Sequence, residues 1–189
     1  MATRIRAAWR TTATAALFAV SLAGCSLPGN GPNPTTPAPD RTLPTRAEGP
    51  FPVTSVTDGD TIRVTIDGKS TRVRLIGIDT PEVSDPRKTV QCFGLEASRR
   101  ATELMDETQV WLEYDPSQSH RDRYGRTLAY VWQSEGVLVN EQMVAEGFAH
   151  EYTYETPYKY QDRFREAEQA ARTAERGLWS PATCAGNTN

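Results

Sequence analysis

Residues 61–78 read TIRVTIDGKSTRVRLIGI. Ile62, Val64 and Ile66 alternate with Thr61, Arg63 and Thr65, the period-two pattern of a strand with one buried face. Asp67-Gly68 is a two-residue hairpin signal, because a type I′ turn needs positive φ at both positions. Residues 69–78 then return as the partner strand. With the turn at that dipeptide, paired residue numbers sum to about 135, which sets Asp60 opposite Leu75 and Asp79 just past it. Strict alternation puts Arg74 on the face away from Asp60. The two acids and the arginine can therefore share a site only if the chain bends or bulges near Gly77.

Working outward, residues 53–57 read as a strand before this hairpin, and 109–114 and 127–133 as strands after it. Residues 94–107 have helical composition, with Leu95, Ala101, Leu104 and Met105 on an inward stripe. A short helix follows the Ser134-Glu135-Gly136 turn, capped by Asn140 and stopped at Gly147. The last helix takes Thr156 as its cap and Pro157 in its first turn. Tyr160, Phe164, Ala167, Ala171 and Ala174 then repeat at helical spacing up to Gly177. Five short strands with a helix after the third predict an α+β, mainly β domain: a five-stranded Greek-key barrel of the OB-fold type with about three added helices.

At 189 residues, 38% hydrophobic and 24% charged, the chain suits one such domain plus extensions. Its start belongs to an extension. Arg4, Arg6 and Arg10 precede a short apolar run at 14–21 and then Leu22-Ala23-Gly24-Cys25, which resembles the signal of bacterial lipoproteins. The run is too short for a transmembrane helix. This predicts a signal peptide over 1–24, lipid on Cys25 and a Pro-rich tether over 25–50. The folded domain is expected at 51–184 and a tail at 185–189. The expected product is exported and held on the extracellular face of a membrane by its lipid, or shed from it. Loss of the signal removes three arginines and no acids, taking the formal charge from −3 to about −6. An acidic chain is no general magnet for nucleic acid, but Arg72/Arg74, Arg87/Lys88, Arg99/Arg100 and Arg121/Arg123/Arg126 leave room for a local positive surface.

With Cys25 given to lipid, Cys92 and Cys184 are the intrachain pair, and an exported compartment permits their disulfide. Such a bond would be worth roughly 4 to 5 kcal/mol on the chain-entropy account. Two free thiols are the alternative. A zinc site would want more Cys or His nearby. His120 and His150 read as exposed loop residues.

Three segments carry chemistry: Asp58-Gly59-Asp60-Thr61, Arg74 through Asp79-Thr80-Pro81-Glu82, and Asp122-Arg123-Tyr124-Gly125-Arg126. Taken singly, each is a polar turn. In this order and spacing, DGDT, R-x-x-x-x-D-T-P-E and D-x-Y-G-R resemble the staphylococcal nuclease (thermonuclease) family, whose fold is an OB barrel. The resemblance spans about 51–180, including GLEA at 94–97 and GLWS at 177–180. It implies calcium held by Asp60, Asp79 and the Thr80 carbonyl, a hard oxygen set of the kind calcium takes. It also implies Arg74 and Arg126 on the scissile phosphate, and Glu82 orienting or deprotonating the attacking water. Tyr124, Tyr152 and Tyr154 would line the nucleotide pocket. Arg87 and Lys88 stand where the family carries lysines. Leu95 in place of a common proline, and Cys92, depart from the pattern without touching the acids and arginines.

The activity implied is calcium-dependent endonucleolytic hydrolysis of DNA and RNA with low sequence preference, leaving 3′-phosphate ends. No protein partner is implied, and a monomer is expected. The rival is a non-catalytic nucleic-acid-binding module on the same barrel, displayed on a surface lipoprotein. The two separate on the acids: a binder has no use for Asp60, Asp79 and Glu82 together, which repel phosphate unless a cation lies between.

Overall fold

The computed structural model describes residues 42–83 and 89–188. The expected signal peptide, Cys25, the tether up to residue 41, and Arg87 and Lys88 lie outside them. In chain order the elements are β1 (Glu48–Asp58), β2 (Thr61–Ile66), β3 (Lys69–Leu75), β4 (Ile78–Asp79), α1 (Gly94–Met105), β5 (Gln109–Glu113), β6 (Thr127–Trp132), α2 (Val139–Ala145), β7 (His150–Glu151), α3 (Gln161–Thr173) and a 3-10 turn at Gly177–Trp179. Five strands close into a barrel in the order β1-β2-β3-β6-β5, and β4 and β7 form a separate two-stranded ribbon. All barrel pairs are antiparallel except β3 with β6. The predicted mainly β barrel with three helices is the observed architecture.

The β2–β3 register follows from its turn. Asp67 and Gly68 have φ of 49° and 74°, and the ladder runs without slip from Ile66↔Lys69 to Thr61↔Arg74. Ile62, Val64, Val73 and Leu75 therefore share the inner face and are essentially inaccessible. Each contributes about 1.5–3 kcal/mol by leaving water. β6 is buried on both faces. Ala129 and Val131 belong to the barrel interior, while Tyr130 and Trp132 meet Tyr160 edge-on at 4.7 and 5.9 Å.

Several boundaries differ from the sequence reading. The first strand begins at Glu48, not 53, because Glu48, Phe51 and Pro52 pair with β5. Leu43 also packs on the core, so part of the expected tether is folded. Asn140 does not cap α2. It lies inside the helix and fully buried, accepting the Val131 N–H at 2.9 Å and donating to Ile76 O at 2.8 Å. Thr156 and Pro157 do not open α3, whose N-cap is Tyr160. Leu95 is exposed, and Ala97 takes the inward place on α1. His150 is half-buried in β7 against the Trp179 ring, whereas His120 is exposed.

Cys92 and Cys184 are joined in a disulfide across a sequence separation of 92 residues. Beside it the Cys92 N–H donates to Thr188 O at 3.2 Å, tying the chain end to the segment before α1.

Candidate active site

The open end of the β2–β3 hairpin holds the acids. The Leu75 N–H donates to Asp60 O at 2.9 Å, the pairing expected from the register. Beyond Leu75 the chain turns through Ile76 and Gly77. Gly77 has φ of 79°, and a Cβ there would lie 2.5 Å from the Tyr158 ring, so only glycine fits this bend. The bend starts β4, which pairs Asp79 with His150 and Ile78 with Glu151.

Asp60 sits 7% exposed in a cage of donors. Its Oδ1 accepts the Thr61 hydroxyl at 2.9 Å, and its Oδ2 accepts the Thr80 N–H at 3.1 Å and the Thr80 hydroxyl at 3.2 Å. These bonds bring the 58–61 turn onto the 79–82 turn, and Gly59 permits it: a Cβ at that position would come within 2.7 Å of Thr80.

Arg74 is locked between the two carboxylates. One of its terminal nitrogens lies 3.1 Å from Asp60 Oδ2 and 2.9 Å from Asp79 Oδ1. The other donates to Leu75 O at 2.9 Å and Ile78 O at 2.7 Å. The bend at Gly77, rather than a bulge within β3, is what turns Asp79 towards an arginine that already faces the cleft. Both carboxylates converge on one positive point, which the guanidinium fills as a cation would. The carboxylates of Asp60 and Asp79 and the Thr80 hydroxyl beside Asp60 are oxygen donors of the type a hard divalent ion takes. Among the described residues, no group of three or more His, Cys, Asp or Glu side chains is arranged to hold a metal, so any such site here is built from two carboxylates and non-carboxylate oxygens.

Arg126 comes from the tight 121–126 loop. Asp122 Oδ1 accepts the Tyr124 and Arg126 N–H groups, both at 2.9 Å, and its Oδ2 accepts Arg126 Nε at 2.6 Å. Burial alone would raise the Asp122 carboxyl, but the bonds and charge of Arg126 outweigh it and hold the group below the usual carboxylate range. The held Nε leaves the terminal nitrogens of Arg126 directed at the cleft, one of them 3.4 Å from Thr61 Oγ1. Glu82 is set by its own backbone and by Gln91. Its Oε1 accepts the Val83 N–H at 3.1 Å, and its N–H donates to Gln91 Oε1 at 2.7 Å.

A cleft of about 560 Å³ gathers Asp60, Arg74, Asp79, Thr80, Glu82 and Arg126, with Tyr124 on its wall. Tyr124 is 59% exposed, with the Arg123 and Arg126 guanidiniums 4.9 and 5.5 Å from its ring centre. Tyr152 and Tyr154 stand outside that lining as an exposed pair 6.4 Å apart. The Tyr152 N–H donates to Gly77 O, so the pair is tied to the same bend as Asp79. Asp58, Arg72 and Gln91 also belong to the site's surroundings, although the motifs assign none of them a role there. For Arg72 the signal was present: it lies two residues before Arg74 on one strand, hence on the same face.

The family model described as "Staphylococcal nuclease homologue" matches residues 72–181, more than half of the chain. The chain belongs to the staphylococcal nuclease family. This family chain is 43% identical over 133 residues to the thermonuclease of Staphylococcus hyicus, covering 70% of the chain and 77% of that protein. It is 44% identical over 124 residues to the SPbeta prophage-derived endonuclease YokF of Bacillus subtilis (strain 168), and 44% identical over 124 residues to endonuclease YncB of the same strain. It spans 41% and 58% of those two proteins, less than two thirds of either.

Proposed function

We propose that this chain is a calcium-dependent nuclease that hydrolyses phosphodiesters in DNA and RNA with little sequence preference, leaving 3′-phosphate ends. Family membership and the thermonuclease and endonuclease relatives support a nucleic-acid hydrolase. The observation that carries the chemistry is the convergence of Asp60 and Asp79 on one cation-sized point in a cleft that also holds Glu82 and Arg126.

On this reading Asp60, Asp79 and the Thr80 carbonyl would hold calcium, since hard oxygen donors suit that ion. The ion supplies electrostatic stabilisation to a phosphate that gathers negative charge. Arg126 offers its terminal N–H groups to the same phosphate, pre-aimed by Asp122 so that little reorganisation is needed. Arg74 has both terminal nitrogens engaged by the chain itself, one by Leu75 O and Ile78 O and the other by the Asp79 and Asp60 carboxylates. It serves first to hold the two carboxylates together, and it reaches phosphate by exchanging a carboxylate for it. Glu82 orients the attacking water. The water oxygen bonds to phosphorus and gives up a proton, through Glu82, to solvent as the bond to the 5′-oxygen breaks, and the departing oxygen takes up a proton. Guanidinium hardly deprotonates, so solvent supplies that proton. Contacts to phosphate carry no sequence information, in keeping with low selectivity.

The sequence Leu22-Ala23-Gly24-Cys25 supports an exported form anchored to a membrane through lipid on Cys25, with the nuclease domain on the extracellular side. The test of the chemistry is digestion of heat-denatured DNA with calcium, with chelator, and by Glu82→Gln and Arg126→Ala. Cutting that needs calcium and falls at least a hundredfold in both variants is expected. Cutting in chelator, or full activity in both variants, excludes this mechanism in favour of another catalyst. Calcium-dependent binding with no cutting favours the non-catalytic module.

A further inference from the structure

Arg72 and Arg63 are used by nothing in the mechanism above. On the outer face of the β2–β3 ladder they stand directly opposite each other, between the Thr61–Arg74 and Thr65–Ser70 pairs. Like charges directly opposed across a ladder sit about 4.5–5.5 Å apart at Cβ and destabilise the sheet. The ion pairs of this region join Arg74 to Asp60 and Asp79 and Arg126 to Asp122. Among the described residues no carboxylate lies within ion-pair distance of Arg63 or Arg72. Both side chains are exposed. Arg72 also lines the cleft, where it donates to Tyr124 O at 3.2 Å, so its head is held on the active-site side. On the other flank Arg63 neighbours Ser55 of β1, again without an acid.

We infer that Arg72 and Arg63 form a phosphate track for the nucleotides next to the scissile phosphate on one strand of substrate. Arg72 and Arg74 are separated by two residues along β3, about 6.6 Å. That step matches the separation of successive phosphates along a single nucleic-acid strand. A strand with one phosphate at Arg74 and Arg126 thus presents its next phosphate to Arg72, and the one after to Arg63 across the ladder. The track gives an acidic chain a local route for polyanion entry, and the repulsion between the paired arginines falls once phosphate lies over them. It rests on the nuclease reading only for the identity of the polyanion.

The experiment measures binding of a fluorescent single-stranded oligonucleotide to the full chain in chelator, where no cutting intervenes, over a series of salt concentrations. Each phosphate contact adds about 0.7 to the steepness of log affinity against log salt for a single strand. Arg72→Ala lowers the slope by about 0.7 and Arg63→Ala/Arg72→Ala by about 1.4, while Arg63→Lys/Arg72→Lys keeps it near the starting value. The wild-type chain also gains affinity from a mononucleotide to a longer strand, and the double alanine variant loses most of that gain. Arg99→Ala/Arg165→Ala, which removes two exposed charges on α1 and α3, serves as the comparison. An unchanged slope in the double alanine variant, or an equal fall in the comparison variant, overturns the track. A fall in slope in a chain that cuts nothing leaves the track standing and removes the nuclease reading.

Discussion

The backbone N–H of Glu82 donates to the side-chain oxygen of Gln91 at 2.7 Å, and the Gln91 N–H donates back to Glu82 O at 3.0 Å. These two bonds tie Gln91 to the residue assigned to the attacking water. Cys92 follows at once, so the tie is continuous with the disulfide to Cys184. Gly94 adds to it by packing against Val83 and the Glu82 carbonyl.

Gln91→Ala removes one of the two bonds and loosens the Glu82 backbone that carries the carboxylate. Misplacement by about 1 Å can cost a hundredfold in rate. With one bond left, kcat on single-stranded DNA is expected to fall about tenfold while KM moves little. Gln91→Glu keeps an acceptor for the N–H and recovers most of the loss. Steady-state kinetics in calcium check both, and an unaltered kcat in Gln91→Ala removes Gln91 as a positioning residue.

Opening the Cys92–Cys184 bond frees a segment 92 residues apart in sequence and so widens the unfolded ensemble. The chain-entropy account gives about 4 to 5 kcal/mol for a loop of this size, and measured values run lower. Cys184→Ser is therefore expected to lower unfolding stability by about 3 kcal/mol, read from urea midpoints. Reductant lowers the wild-type midpoint and leaves the variant where it is. Equal midpoints with and without reductant in the wild type mean that the bond contributes nothing to stability.

Gly77→Ala tests the bend that aims Asp79. The substitution meets both the positive φ and the Tyr158 ring, whose hydroxyl donates to Gly77 O at 3.1 Å. Left-handed backbone costs about 1–2 kcal/mol and overpacking about 1–3 more. A loss of about 3 kcal/mol, with activity lost out of proportion to the folded fraction, is the expected result. Thermal unfolding alongside activity at a temperature where the variant is folded separates the two effects.

What could be read beforehand was local. The alternation over 61–78 and the Asp67-Gly68 turn suffice for the register, and the register alone places Asp60 beside Leu75. The need for a bend at Gly77 followed from the same alternation. What could not be read was set by distant partners. Asn140 has the chemistry of a helix cap, yet Val131 N on the preceding strand and Ile76 O, 64 positions away, draw it into the core. Thr156-Pro157 has the look of a helix start, yet Tyr158 is committed to Gly77 O and the Lys159 N–H to Asp115 before α3 can begin. Leu95 fits a helical stripe by number only, and the small Ala97 takes the tight place instead. Gln91 gives no sign of its role, because its partner is a backbone N–H nine positions away in sequence.

Asp115 gives a pH dependence that can be worked out in sign. It is buried, with Oδ1 accepting the Ser117 N–H at 2.9 Å and hydroxyl at 2.8 Å. Its Oδ2 accepts the Tyr130 hydroxyl at 2.7 Å and the Lys159 N–H at 2.8 Å. Burial alone would raise this carboxyl, but the four donors outweigh it and hold it below its ordinary value. The same contact pushes the Tyr130 phenol up, burial being the larger cause. A folded value below the unfolded one, about 3.9, means stability that is fully present above that pH and is lost as pH falls through the folded value. Asp115→Asn presents an NH₂ to one pair of donors whichever way the amide is turned. The expected cost at neutral pH is about 2 to 3 kcal/mol. Because the variant has no carboxylate there to protonate, its stability changes less on acidification, and the two curves draw together at low pH. Urea unfolding at neutral and acidic pH measures this. A constant gap between wild type and variant down through the acid limb would show that the charge on Asp115 is not what holds the turn before α3 to the barrel.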